Sequence, residues 1–141
     1  MSMKKSLVVL LLAASLMLSA CGGSTKLPEG VDVDISGLSG MVVYGKLYDM
    51  VTNGKDYEGK VIRMAGTLNE IPVKERGVQV DTLYSCFVAD AEGCCSQGVE
   101  FVLPEGGTYP PVGEKIIVEG VWNTYQLYGL DRYRLLDARL I

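Results

Sequence analysis

The hydrophobic period of this chain changes at Gly59, and that change limits the available folds more than any other feature. Before it, Met41, Tyr44, Leu47, Tyr48 and Val51 recur at helical spacing, the stripe of an amphipathic helix over residues 41–52. Asn53-Gly54 supplies a stop, and Gly45 weakens the middle. Beyond Gly59, apolar and polar residues alternate in segment after segment, as in half-buried strands. Residues 60–71 put Ile62, Met64 and Leu68 on one face and Arg63, Thr67 and Asn69 on the other, with a bulge or bend expected at Gly66. Residues 81–90 read as a second strand and 97–103 as a third, with Val99, Phe101 and Leu103 in phase; a four-residue turn at 90–93 joins them as a hairpin. Segment 104–113, PEGGTYPPVG, is a loop, because prolines remove donors and glycines admit unusual torsions. Residues 114–125 supply a fourth strand with Ile116, Val118 and Trp122 together, and 133–141 a fifth with Leu136, Ala138 and Leu140. One helix followed by five strands predicts an all-β domain closed into a small barrel, since closure removes the edges that an open sheet would expose.

The run Asp56-Tyr57-Glu58-Gly59-Lys60-Val61-Ile62-Arg63-Met64-Ala65-Gly66 is a short loop, a Gly-Lys pair and a strand kinked at glycine. It resembles the first strand of OB-fold barrels, and Gly113-Glu114-Lys115-Ile116-Ile117-Val118-Glu119-Gly120 resembles their fourth. The resemblance covers residues 56–141 and implies an OB-like five-stranded barrel. Two departures accompany it: the helix precedes the barrel, and a Pro/Gly loop fills the place between strands three and four. A β-sandwich or half-open roll is the alternative.

The first twenty residues read as an export signal. Lys4 and Lys5 precede an apolar run over residues 6–18, too short for a span of about 20 residues. Leu18-Ser19-Ala20-Cys21 then resembles the lipobox of bacterial lipoproteins, which implies cleavage before Cys21 and attachment of a diacylglycerol to its thiol. Two or more acyl chains of the palmitate type hold a protein stably where one does not. The resemblance therefore implies an extracytoplasmic protein, lipid-anchored to the bacterial membrane. Residues 21–40, rich in Gly, Ser, Pro and Asp, are expected to form a flexible tether, and 41–141 the helix plus barrel.

Composition narrows the function. The chain of 141 residues has no histidine, which excludes Ser-His-Asp and Cys-His catalytic pairs, a Cys₂His₂ zinc site and a histidine pH switch. Beyond residue 20 it carries 11 basic against 17 acidic residues, a formal charge of −6, which makes nucleic acid a poor partner. Glu100 and Glu119 alternate with apolar neighbours and are expected in solvent, so no glycosidase pair is read from them. No nucleophile and base can be named, and the expectation is a binding protein, not an enzyme.

The chemistry that remains lies in Cys86, Cys94 and Cys95. The adjacent pair followed by Gln97-Gly98-Val99-Glu100-Phe101 is similar to a group of uncharacterised bacterial lipoproteins. More distantly it resembles the barrel domain of a membrane-protein family encoded beside a permease, and that resemblance implies a part in zinc handling. Three arrangements account for the thiols. In the first, Cys86, Cys94 and Cys95 converge as metal ligands, with Asp90, Glu92, Glu100 or water completing a zinc site, or three sulfurs alone suiting Cu(I). In the second, Cys86 bridges to Cys94 or Cys95; a four-residue turn leaves the partners about 10 Å out of register, so a bridge needs a bulge. In the third, all three are small core side chains. A second candidate surface is aromatic and basic: Trp122, Tyr125, Tyr128, Arg132, Tyr133 and Arg134 surround the last turn, which rims the binding face of an OB barrel. The leading expectation is a metal-associated accessory to a membrane transporter. The alternative is a disulfide-stabilised module that binds an envelope protein or glycan through the aromatic loop.

Overall fold

The computed structural model describes residues 27–90 and 92–141. The expected signal segment and Cys21 lie outside the described residues. The elements are β1 (Val33–Asp34), α1 (Gly40–Thr52), a 3₁₀ turn (Gly54–Tyr57), β2 (Val61–Glu75), β3 (Val78–Ala89), β4 (Ser96–Phe101), β5 (Lys115–Leu127) and β6 (Leu130–Leu140). Among these, no helix is long and apolar enough to cross a membrane.

The sheet closes. Strand neighbours run β2-β3-β4-β6-β5 and back to β2, with β4 and β6 parallel and the other barrel pairs antiparallel. This is the OB-like five-stranded barrel, preceded by a single α-helix among the described residues. Closure depends on the length of β2. Its residues 61–67 pair with β5 and its residues 67–75 with β3, so one strand serves two halves of the barrel. The changeover falls beside Gly66. A Cβ there would lie 2.6 Å from the Phe87 carbonyl oxygen and 2.7 Å from the Cys86 sulfur, so only glycine lets β3 approach. The expected bulge is not at this glycine: the β2–β3 register slips between Val73 and Lys74.

Trp122, Phe101, Ile62, Met64, Leu68, Val118 and Leu135 fill the barrel, each almost wholly buried. Helix α1 lies against β3 and β4 and adds Val43, Leu47 and Met50 to the same cluster. Ser39 at its N-cap makes no side-chain bond, and neither end carries a charge complementary to the helix dipole. The helix is therefore held by packing, at about 1.5–3 kcal/mol for each fully buried side chain. Its inward face matches the expected stripe in part: Leu47 is buried and Tyr44 and Val51 pack against the core, but Met41 and Tyr48 stand in solvent, whereas Val43 and Met50 are inside. The two stripes overlap and are rotated relative to each other. Periodicity alone admits both, and the position of the barrel selects one.

Two further expectations change. Residues 31–35, expected in the tether, belong to the barrel. Val31 and Ile35 are buried, Val33 and Asp34 pair with Ile62 and Arg63, and the Asp32 backbone N–H donates to the Val61 carbonyl at 2.9 Å. In β6, Leu135 and Ala138 point inward, and Leu136 does not join the buried core. Asp137 adopts φ 48° and adds one residue opposite Gly120, which shifts the alternation partway along the strand. The loop expected at 104–113 is free of strand and is longer than expected, since β4 stops at Phe101 and β5 starts at Lys115; Tyr109 pins it. Its ring stacks on Tyr84 at 3.8 Å, while its hydroxyl accepts the Leu103 N–H at 3.1 Å.

Candidate functional site

The β3–β4 hairpin sets the fate of the three thiols. Ala89 pairs with Ser96, so the loop between them is longer than the four residues expected, and Cys86 lies opposite Val99. Cys94 and Cys95 are in the loop, both exposed. Cys86 is fully buried beside Gly66, three residues down the strand, or about 10 Å at the rise of a strand. The three cysteines expected to converge thus do not. A bridge from Cys86 is also not formed, since it requires Cα atoms within about 7 Å. Burial pushes the Cys86 thiol up to about 12, which keeps it protonated at neutral pH. The packing account applies to Cys86 alone.

The loop instead gathers Asp90, Cys94 and Cys95, whose ligand atoms all lie within 4.8 Å of one another. Asp90 organises it as an Asx-type turn. One carboxylate oxygen accepts the Cys94 backbone N–H at 3.0 Å; the other accepts the Cys95 N–H at 3.2 Å and the Cys94 thiol at 3.3 Å. The Asp90 N–H donates to the Cys95 carbonyl at 2.9 Å, and Gly93 takes φ 70° to turn the chain. The two sulfurs are 3.9 Å apart. Desolvation works to raise the Asp90 carboxyl, but hydrogen bonds from the Cys94 thiol and the loop amides outweigh it and hold the carboxyl low. The Cys94 thiol is pushed up, first by its bond to Asp90, then by Cys95. Tyr44 of α1 is raised by desolvation and then by the negative charge of Cys95 and Asp90, which marks the helix phenol as a neighbour of the loop.

These distances suit a tetrahedral ion. Two thiolates about 2.3 Å from zinc lie about 3.8 Å apart, and a thiolate and a carboxylate oxygen about 3.5 Å. The loop has 3.9 Å and 3.3 Å before any adjustment. With Cys86 elsewhere, the donor set is two sulfurs and an oxygen, which fits zinc better than Cu(I).

The aromatic set divides. Trp122 is core, fully buried, with its indole N–H donating to the Gly54 carbonyl at 2.9 Å; Tyr133 stacks on it with ring centroids 5.5 Å apart. Trp122 thus does not rim a binding face as expected, whereas Tyr133 is partly buried and lines a surface recess with Gly98, Glu100 and Arg132. Tyr125 and Arg132 lie on the outer face, where the Tyr125 hydroxyl and the Arg132 guanidinium both bond to Glu100. Burial and then the Glu100 hydrogen bond push the Tyr125 phenol up, so it remains a donor. Tyr128 is exposed in a two-residue turn with φ 53°, followed by Gly129 at φ 76°.

Glu100 and Glu119 are not in solvent. Both are buried on the outer face, under arginines that cross from neighbouring strands. Glu119 accepts Arg63 Nη2 at 2.6 Å and Arg139 Nη2 at 2.6 Å. Alternation correctly put them outside the barrel; it could not show that long cationic side chains would cover them. Sequence reasoning also passed over Ser85, which pairs with Glu100 across the ladder and is buried with its hydroxyl unpartnered. Its outward phase in β3 was the available signal.

No protein-family model, curated protein or solved structure matches the chain.

Proposed function

We propose that this protein is a membrane-anchored, OB-like binding module that takes up a zinc ion on the Asp90, Cys94 and Cys95 loop, as an extracytoplasmic accessory to a transporter or envelope protein. The observation that carries the reading is the 3.9 Å separation of two adjacent exposed sulfurs beside a carboxylate already aimed at one of them. An exposed set of three protein ligands leaves a coordination position open, which suits an ion that is passed on. Anchoring is supported by the lipobox-like Leu18-Ser19-Ala20-Cys21, and the accessory role by the resemblance of the Cys94-Cys95 region to the barrel domain encoded beside a permease. Binding must displace the thiol protons, so affinity rises with pH.

The test is a zinc titration of the reduced full-length chain against a chromophoric chelator. One ion per chain is expected, with affinity lowered at least tenfold in Cys94→Ser and in Cys95→Ser and unchanged in Cys86→Ala. Undiminished zinc binding in the Cys94→Ser, Cys95→Ser double variant would overturn the reading.

A further inference from the structure

Strand pairing sets one polar row across the outside of the barrel. Asn69 of β2 pairs with Ser85 of β3, Ser85 with Glu100 of β4, Glu100 with Arg134 of β6, and Arg134 with Asn123 of β5. Directly paired residues share a face, so these side chains stand together. Beside the row β4 carries Gly98 opposite Phe87, whose ring leans over it: a Cβ at Gly98 would lie 3.3 Å from Phe87 Cδ2 and 3.6 Å from Ser85 Oγ. The result is a recess of about 180 Å³ lined by Asn69, Ser85, Phe87, Gly98, Glu100 and Arg132 among others. A second recess of about 300 Å³ continues from it past Gly98, Glu100 and Arg132 toward β6. Neither Cys94 nor Cys95 lines either recess, so a ligand held here is independent of any ion on the loop.

Two groups in this recess are unusual. Ser85 is 2 % exposed, and its buried hydroxyl neither donates nor accepts a hydrogen bond. Buried hydroxyls without partners are rare, because the desolvation cost is uncompensated. The Glu100 carboxylate is also buried, held from one side by Tyr125 and Arg132.

The chemistry of the lining selects a class of ligand. Glu100 and Arg132 neutralise each other, and Tyr125 also bonds the carboxylate, so the recess offers no uncompensated charge to recruit either an anion or a cation. A wholly apolar ligand would leave Ser85 and Asn69 without partners. A ligand whose groups each donate and accept satisfies a hydroxyl, an amide and a carboxylate together, and the apolar ring of Phe87 offers a wall for its carbon face. We propose that the recess between β3 and β4 receives one ring of a neutral, hydroxyl-rich saccharide, with Ser85 and Glu100 as its hydrogen-bonding floor.

The experiment is an NMR titration of the isotopically labelled full-length chain in a detergent without a sugar headgroup. The neutral probes are cellotriose and triacetylchitotriose; glucose 6-phosphate and an extended tetrapeptide serve as the competing classes. A neutral saccharide should give saturable shifts at the Ser85, Gly98 and Glu100 amides. Gly98→Val, which grows a side chain into the recess, should weaken that binding at least tenfold. Ser85→Ala should weaken it at least threefold while leaving the thermal midpoint equal or higher, since it removes an unpartnered hydroxyl. The proposal is overturned by the absence of saturable shifts with either neutral probe, by tighter binding of the phosphate or the peptide, or by undiminished affinity in Ser85→Ala.

Discussion

The sulfur of Cys86 occupies the space that a side chain at position 66 would need: a Cβ on Gly66 would lie 2.7 Å from it. The pair forms the contact through which β3 passes close to β2 at the point where β2 exchanges partners. Gly66→Ala should therefore destabilise the protein by about 1–3 kcal/mol, as overpacking does. Cys86→Ala in the same chain should recover only part of this, because the Phe87 carbonyl is as close. Urea unfolding of the two variants and the double variant measures both effects; a Gly66→Ala protein of unchanged stability contradicts the account.

The thiols should differ in reactivity. In the metal-free folded protein, Cys94 and Cys95 are exposed and should alkylate without unfolding, Cys94 more slowly because Asp90 holds its thiol proton, whereas Cys86, buried and pushed up to about 12, should react only on unfolding. Residue-resolved mass spectrometry across a urea series reads this directly. The same shift has a pH consequence. Below the ordinary thiol value of about 8.5 both states keep the proton; above it the unfolded chain releases its proton first, so stability falls as pH rises toward the folded value. Cys86→Ala should remove that contribution to the alkaline slope.

Glu119 should support the barrel in a way that acid removes. Burial alone raises its carboxyl, but hydrogen bonds from Arg63 and Arg139 outweigh this and hold it low. Its contribution is complete above the unfolded carboxylate value of about 4.3 and is lost as pH falls through the lower folded value. Because Arg139 is largely exposed, Glu119→Gln should cost less than a fully buried pair, about 2–3 kcal/mol at neutral pH. The deficit should shrink in acid. An equal difference between variant and parent at pH 7 and in strong acid would show that the carboxylate charge contributes nothing.

Gly54→Ala should disturb the core from its rim. A Cβ there would fall inside the Tyr133 ring, which stacks on Trp122, whose indole N–H in turn bonds to the Gly54 carbonyl. The expected result is a loss of about 1–3 kcal/mol and a shift of Trp122 fluorescence as the ring is displaced. Unaltered emission and stability would mean that the stacking is not formed.

The amino-acid sequence by itself determined the number and kind of the main elements. The shift from helical to alternating period at Gly59 and the Pro/Gly stretch after Phe101 are local properties of the chain, and the barrel strands fall where they indicate. Asp90 was legible only as one of several candidate companions to the thiols, beside Glu92, Glu100 and water; the longer loop that joins it to Cys94 and Cys95 follows from the Ala89–Ser96 pairing. The tertiary structure decided everything that depends on which chain segments meet. The hairpin register separated Cys86 from the loop cysteines, and Asp137 reset the phase of β6. The barrel selected Val43 over Met41 as the inward side of α1, and arginines from adjacent strands covered Glu100 and Glu119. Periodicity reports which way a side chain points relative to its own backbone; what lies over it is set by residues distant in sequence, and one added residue in a ladder is enough to change it.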